Sequence, residues 1–126
     1  MSYGFQRTVS ETLEHAEEQI RERLAEQGFG ILTEIDVQKA FQEKLGVNFR
    51  RYRILGACHP QLAHQALEAE TEIGLLMPCN VVLWSDDENT TISIASAASI
   101  LQLTEADLSE LSVQVDELLQ KALQAV

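Results

Sequence analysis

Two cysteines are the residues of this sequence whose chemistry depends most on their surroundings. Cys58 lies in the run Cys58-His59-Pro60, and Cys79 lies between Pro78 and Asn80. Cys58 ends a predicted strand directly before a predicted helix, and the positive end of a helix lowers the pKa of a cysteine. Because neighbouring strands lie about 4.8 Å apart, two strand cysteines can face each other.

A pair of thiolates with a histidine is a ligand set for a soft metal. Cys58 and Cys79, with His59 or His64 as a further ligand, would suit zinc or copper. However, free cysteine also packs in cores as a small hydrophobe, and the spacing matches no zinc signature such as C-x-x-C. His59 taken alone fits a helix cap or a surface position. The sequence therefore leaves two interpretations open: a metal site, or cysteines that only pack in the core.

Two carboxylates offer a second kind of chemistry. Glu34 and Asp36 are two residues apart on a predicted strand, so they share one face, as a general acid–base pair or a hard-cation site requires. They could assist a nucleophilic Cys58, and Lys44 could neutralise them. The alternative is a solvated strand face on which Asp36 caps the next helix.

Charge excludes some classes of partner. The chain has nine Lys or Arg against twenty Asp or Glu, a formal net charge of −11. Phosphate backbones and anionic membranes are repelled by such a chain, so we expect neither nucleic acid nor a membrane as partner. The run Arg50, Arg51 and Arg53 fits a strand face balanced by carboxylates better than an anion site.

Length and cysteine usage indicate the class of protein. With 126 residues, the chain is expected to form a single domain over residues 1–126. Residues 1–18 have no apolar stretch of the secretory type, and no apolar run is long enough to span a bilayer. We therefore expect a cytoplasmic protein with reduced thiols.

Hydrophobic periodicity predicts the elements. Strands are expected at residues 3–9, 29–37, 49–58, 73–84 and 91–95, the fourth interrupted by Pro78. Ser10 is expected to cap the first helix, and Asp36 the second. The third helix should start at Pro60 and bury one stripe of residues: Leu62, Ala63, Ala66 and Leu67. The last helix should follow Thr104 and Asp107, with an apolar face made of Leu108, Leu111, Val115, Leu118 and Ala122. The order β-α-β-α-β-α-β-β-α predicts an α+β two-layer sandwich, a mainly antiparallel twisted sheet with the long helices on one face.

Several short runs together resemble a known family. Pieces such as Glu34-Ile35-Asp36-Val37, Ile54-Leu55-Gly56-Ala57-Cys58 and Leu76-Met77-Pro78-Cys79-Asn80 are similar to the family called domain of unknown function 302. The resemblance implies an α/β sandwich, usually a dimer, and no established activity. It also implies cysteines where Cys58 and Cys79 stand. Members often carry Asp-Pro after the last strand, whereas this chain has 95–98 as Ala-Ser-Ala-Ala.

Three hypotheses for function follow. The first is a small homodimeric binding or sensing module with a thiol or soft-metal site at Cys58 and Cys79, taking a small molecule or a metal. The second is a thiol-dependent enzyme that uses Cys58. The third is a non-catalytic homodimeric interaction protein with core cysteines, whose contact is a groove between sheet and helix or the C-terminal helix.

Overall fold

A computed structural model describes residues 3–104 and 106–126 of the chain. The elements are β1 (Gly4–Val9), α1 (Leu13–Glu26), β2 (Gly30–Asp36), α2 (Val37–Leu45), β3 (Tyr52–Cys58), α3 (Pro60–Ala69), a 3₁₀ helix (Thr71–Leu76), β4 (Cys79–Asp86), β5 (Asn89–Ala95), α4 (Ala97–Leu101) and α5 (Ser109–Gln124).

The five strands form one antiparallel sheet in the order β1-β5-β4-β3-β2. The predicted α+β fold is therefore confirmed. Strand residues alternate between two faces, and those of one face are buried against α1 and α5. This core joins strand residues (Leu55, Ala57, Val81, Leu83, Ile92, Ile94) to helix residues (Leu13, Ala16, Ile20, Leu24, Val115, Leu119, Ala122, Leu123).

The first helix begins later than its sequence predicts. The cap is Thr12, whose hydroxyl accepts from the His15 amide at 3.1 Å between Oγ1 and N. Ser10 lies outside the helix, with its hydroxyl 3.4 Å from Asn89 Oδ1. The prediction that Ser10 caps α1 is wrong because Thr12 directly precedes Leu13, the first helical residue. Asp36 does cap α2, accepting from the Lys39 amide at 3.0 Å.

A bulge in β2 changes the face on which its residues lie. Ile31 pairs with Ala57 and Thr33 with Gly56, so one extra residue, Leu32, stands between two successive pairs. An extra residue inverts the alternation that follows it. Ile31 therefore packs against the core, whereas Ile35 lies on the opposite face and is half exposed.

The predicted strand over residues 73–84 is only half correct, because β4 begins at Cys79. The preceding residues form the 3₁₀ helix, in which Met77 N donates to Gly74 O. Pro78, which follows a cis peptide bond, has no N–H for a ladder. Its ring fits over Gly56, where an added Cβ would lie 2.7 Å from Pro78 Cγ.

The helices depart from prediction at three places. Sequence periodicity did not indicate α4, and α5 begins at Ser109 without a side-chain cap on its first turn. Leu67 is 40% exposed, not buried, because α3 is packed only through its Leu62 and Ala66 side. In the described residues no helix combines the length and the hydropathy that crossing a bilayer requires.

The second face of the sheet carries no helix along most of its breadth, and we call it the open face. It runs from Gln6 and Thr8 on β1 to Ile35 on β2, and at its centre Tyr52 stacks on Trp84, with ring centroids 5.9 Å apart. Cross-strand pairs place the following residues on it: Thr33, Ile54, Gly56, Asn80, Val82, Asp86, Asn89, Thr91, Ser93 and Ala95.

Candidate functional site

Both cysteines line one pocket at the end of the sheet, which we call the thiol pocket. Its walls come from the ends of β3 and β4 and from α3, the 3₁₀ helix, α4 and α5, and its cavity is about 60 Å³. Apart from the two thiols and His59, the lining is hydrocarbon or thioether: Phe29, Ala57, Leu62, Ala63, Ala66, Ile73, Leu76, Met77, Ala97, Ile100, Leu101, Leu111 and Val115. The site is therefore apolar.

Strand pairing brings the cysteines together. Cys79 pairs with Ala57, the residue before Cys58, so the cysteines lie on adjacent strands one residue out of register, and both line the same pocket. Both are free thiols and both are partly exposed. The sequence could not establish this proximity because the register of β3 against β4 depends on where β4 begins.

The environment of the thiols keeps their protons on. Burial raises the pKa of Cys58. The pKa of Cys79 rises from an ordinary 9.0 to about 11, chiefly through burial and then through the negative charges of Asp116 and of Cys58. The pKa of Cys58 is thus raised by burial, and not lowered as its place before a helix led us to expect.

His59 is occupied as a helix cap. Its Nδ1 accepts from the Leu62 amide at 3.3 Å, and its ring meets Phe29 edge-on at 5.3 Å. With Nδ1 as acceptor, a neutral ring carries its proton on Nε2, which therefore has no free lone pair. The Nε2 edge also lies against Gly28, where an added Cβ would be 2.6 Å away. Binding a metal through His59 would therefore break the cap or remove the Nε2 proton.

Within residues 3–104 and 106–126, no three His, Cys, Asp or Glu residues are grouped so that they could hold a metal ion. The predicted set of Cys58, Cys79 and His59 is present as two protonated thiols beside a capping imidazole. His64 points away on the exposed side of α3, with Nε2 3.3 Å from Glu68 Oε1.

Asp116 is a polar residue near the thiol pocket that sequence reasoning missed. Its carboxylate accepts from the amides of Ala97 and Ala98, at 2.6 and 3.2 Å, and from the Ser96 hydroxyl at 2.7 Å. It thus holds the start of α4 against α5, where α4 forms part of the pocket wall. Only tertiary structure brings it there, since Asp116 and Ser96 are 20 residues apart.

Glu34 and Asp36 do not line the thiol pocket. Glu34 forms an ion pair with Arg21 and lies 3.7 Å from Arg53, while Asp36 caps α2. No ion pair joins Lys44 to either carboxylate in the part of the chain that the structure describes. Their neighbours are charged surface groups, not a cleft.

The arginine run is neutralised by carboxylates, as its sequence context suggested. Arg50 lies 3.0 Å from Asp86, and Arg51 donates to Glu14. Arg53 donates to Glu17 of α1 at 2.5 Å between Nε and Oε1, and both side chains are mostly buried. Arg51 and Arg53 therefore join this part of the chain to α1, whereas Arg50 joins it to the end of β4.

Residues 5–126 match the family model described as domain of unknown function DUF302. The chain belongs to the DUF302 family. Its fold is similar to that of an uncharacterized conserved DUF302 protein from Bacillus stearothermophilus, with TM-score 0.90, 25% identity and 98% of each chain covered. No curated protein matches the sequence.

One departure of this DUF302 chain from the expected family pattern has a structural counterpart. Where Asp-Pro was expected after the last strand, residues 95–98 are Ala-Ser-Ala-Ala. The helix start at Ala97 is instead capped by Ser96 Oγ, which accepts from the Ser99 amide at 3.2 Å, and by the carboxylate of Asp116. The acceptors at this helix start thus include a residue of α5.

Proposed function

We propose that this chain is a small binding protein and that the thiol pocket is its binding site. The observation that carries this proposal is an apolar cavity whose polar groups are two protonated thiols and a capping histidine. Such a lining favours an uncharged apolar group, because an ion would lose its hydration without gaining a partner.

The size of the cavity limits the ligand. A ligand pocket for a drug-sized molecule measures about 300–1,000 Å³, and an engineered cavity of about 150 Å³ admits benzene. The thiol pocket, at about 60 Å³, takes only a small group, such as the end of an alkyl chain. The rest of the ligand would lie outside the pocket, over α3 and the 3₁₀ helix.

The thiols suit this role better than the two alternatives from sequence. A nucleophile or a metal ligand must be a thiolate, and the raised pKa values of Cys58 and Cys79 oppose thiolate formation. A soft metal remains the competing occupant, because metal binding can displace thiol protons. Catalysis at Cys58 with Glu34 or Asp36 has less support, since the carboxylates lie elsewhere.

The experiment is a titration with short-chain alcohols and alkyl thioethers, read by the protection of Cys58 from iodoacetamide. Ala63→Leu would fill the pocket, whereas Ala69→Leu places the same side chain on an exposed position of the same helix. We expect saturable protection in the wild type and in Ala69→Leu, and none in Ala63→Leu. Native mass spectrometry without chelator gives the alternative result: a mass for zinc or copper that Cys58→Ser removes would replace this proposal with the metal site.

A second role, as a homodimer, is favoured by the open face. Among the strand residues, all of which the structure describes, Asp86 is the only charged residue on that face, at the end of β4. In a chain of net charge −11, this is a surface on which two copies can meet without burying charge. Tyr52, Ile54, Val82 and Trp84 give it an apolar centre.

Val82→Lys tests the homodimer, because it places a charge at the centre of the open face. Val113→Lys is the control, since Val113 is 53% exposed on α5. We expect light scattering to show a dimer for the wild type and Val113→Lys, and a folded monomer for Val82→Lys. A wild-type monomer, or a dimer that Val82→Lys leaves intact, would contradict the proposal.

The cytoplasmic location of the protein stays a prediction from the sequence.

A further inference from the structure

The distribution of charge along the chain is uneven. No Lys or Arg occurs between Arg53 and Lys121, and this segment contains eleven Asp or Glu residues. Residues 54–120 therefore carry a formal charge of −11, equal to that of the whole chain, and the rest of the chain is balanced. The segment includes α3 and the 3₁₀ helix, where Glu68, Glu70 and Glu72 lie close together in the sequence, whereas Asp86, Asp87 and Glu88 lie at the β4–β5 hairpin.

Within that acidic segment lies a groove of about 400 Å³ whose lining is polar and apolar in nearly equal parts, and which shares Ile73 and Leu76 with the wall of the thiol pocket. Leu75 and Leu103 border this groove and are 83% and 78% exposed. Glu70 and Glu72 stand on its rim. We call it the leucine groove. Two leucines that line one groove and are mostly exposed to water mark a surface that gains free energy when it is covered.

The sign of the rim decides what can cover the leucine groove. A second copy would bring the same acidic segment, and phosphate-bearing partners would bring further negative charge, so both are repelled. Among the described residues that line the groove there is no Lys or Arg. A fitting partner must combine apolar side chains for Leu75 and Leu103 with positive charge for Glu70 and Glu72.

We propose that the leucine groove docks a basic amphipathic helix of a partner protein. Such a helix places apolar side chains on one face and Lys or Arg along its borders, which is the pattern that a groove with exposed leucines and an acidic rim accepts. Its apolar face covers the two leucines, and its cations lie beside the two glutamates. This role goes beyond ligand binding in the thiol pocket, with which the groove shares Ile73 and Leu76.

The test uses the full chain and a synthetic helix with leucine on one face and lysine on the other, followed by isothermal titration calorimetry. A scrambled peptide of the same composition and a peptide with glutamate for lysine are the ligand controls. We expect the double variant Leu75→Ser, Leu103→Ser to weaken binding at least about tenfold, which corresponds to 1.4 kcal/mol. Leu32→Ser, which removes a leucine that is 68% exposed on β2, should bind as the wild type does.

A separate variant tests how charge contributes to peptide binding. Glu70→Gln, Glu72→Gln should weaken binding at low salt and reduce the salt dependence, because screened pairs contribute less at high ionic strength. The proposal is overturned if the scrambled peptide binds equally well, or if the leucine variant binds as tightly as the wild type. It is also overturned if the leucine variant dissociates a dimer, since the groove would then be a contact between copies.

Discussion

Asp116 Oδ2 lies 2.7 Å from Ser96 Oγ, and this hydrogen bond joins the start of α4 to the middle of α5. The same carboxylate also accepts from two amides of α4. A helix of five residues is too short to be stable alone, so its position depends on this carboxylate and on the packing around it.

Asp116→Asn should therefore destabilise the chain by about 2 kcal/mol, because hydrogen bonds to a charged acceptor contribute more than neutral ones. Urea unfolding followed by circular dichroism measures the change. Glu117→Gln, on an exposed neighbouring position of the same helix, is the control and should change the free energy of unfolding little. Equal stabilities of the two variants would show that the contacts of Asp116 add nothing.

The raised pKa of Cys79 makes stability depend on pH. The unfolded thiol loses its proton near 9.0, whereas the folded one keeps it up to about 11, so the folded state binds more protons in this window. The free energy of unfolding should fall as the pH rises, by about 2 kcal/mol at the upper end. Cys79→Ala should lack this part of the loss, which urea titrations at successive pH values would reveal. Parallel pH curves for the two proteins would contradict the prediction.

Gly56 lies under Pro78 and beside Thr33, where an added Cβ would be 2.2 Å from Thr33 Oγ1 and 2.7 Å from Pro78 Cγ. Gly56→Ala should cost about 1–3 kcal/mol of stability, since a central strand cannot shift to make room. Gly30→Ala, on the edge strand β2, meets nothing within 4 Å and should be tolerated. Thermal unfolding of both variants is the measurement, and a Gly56→Ala protein as stable as Gly30→Ala would contradict the assigned fit.

The start of α1 depends on its cap, Thr12. Thr12→Ala removes the hydroxyl that accepts from His15 N and should cost about 1 kcal/mol. Ser10→Ala should stay within about 0.5 kcal/mol of the wild type. If chemical denaturation ranks Ser10→Ala as the more damaging change, the helix begins earlier than the structure shows.

Sequence patterns predicted those elements that pack through one face, because their buried residues recur at a regular spacing. Leu13, Ala16, Ile20 and Leu24 recur in the sequence at helical spacing, and all four are buried in α1. Asp36 was expected to end one element and cap the next, and it does. These features are local, because spacing and cap chemistry determine them within a few residues.

The candidate site depended on contacts that no local pattern reports. Cys58 and Cys79 share a pocket because β3 pairs with β4, and the register of that pairing cannot be inferred from either strand alone. Asp116 reaches α4 across a loop, where a short helix gives little periodic signal. The pKa of each thiol likewise depends on burial, which a sequence position before a helix does not reveal.

The bulge in β2 does more than change the face on which the following residues lie. As an edge strand, β2 presents unpaired N–H and C=O groups to any extended segment it meets, and such edges promote aggregation. The extra residue at Leu32 interrupts the regular spacing of those groups between Ile31 and Thr33, so an incoming strand cannot pair along the full length of β2. The irregularity thus protects an exposed, partly apolar strand against fibril growth.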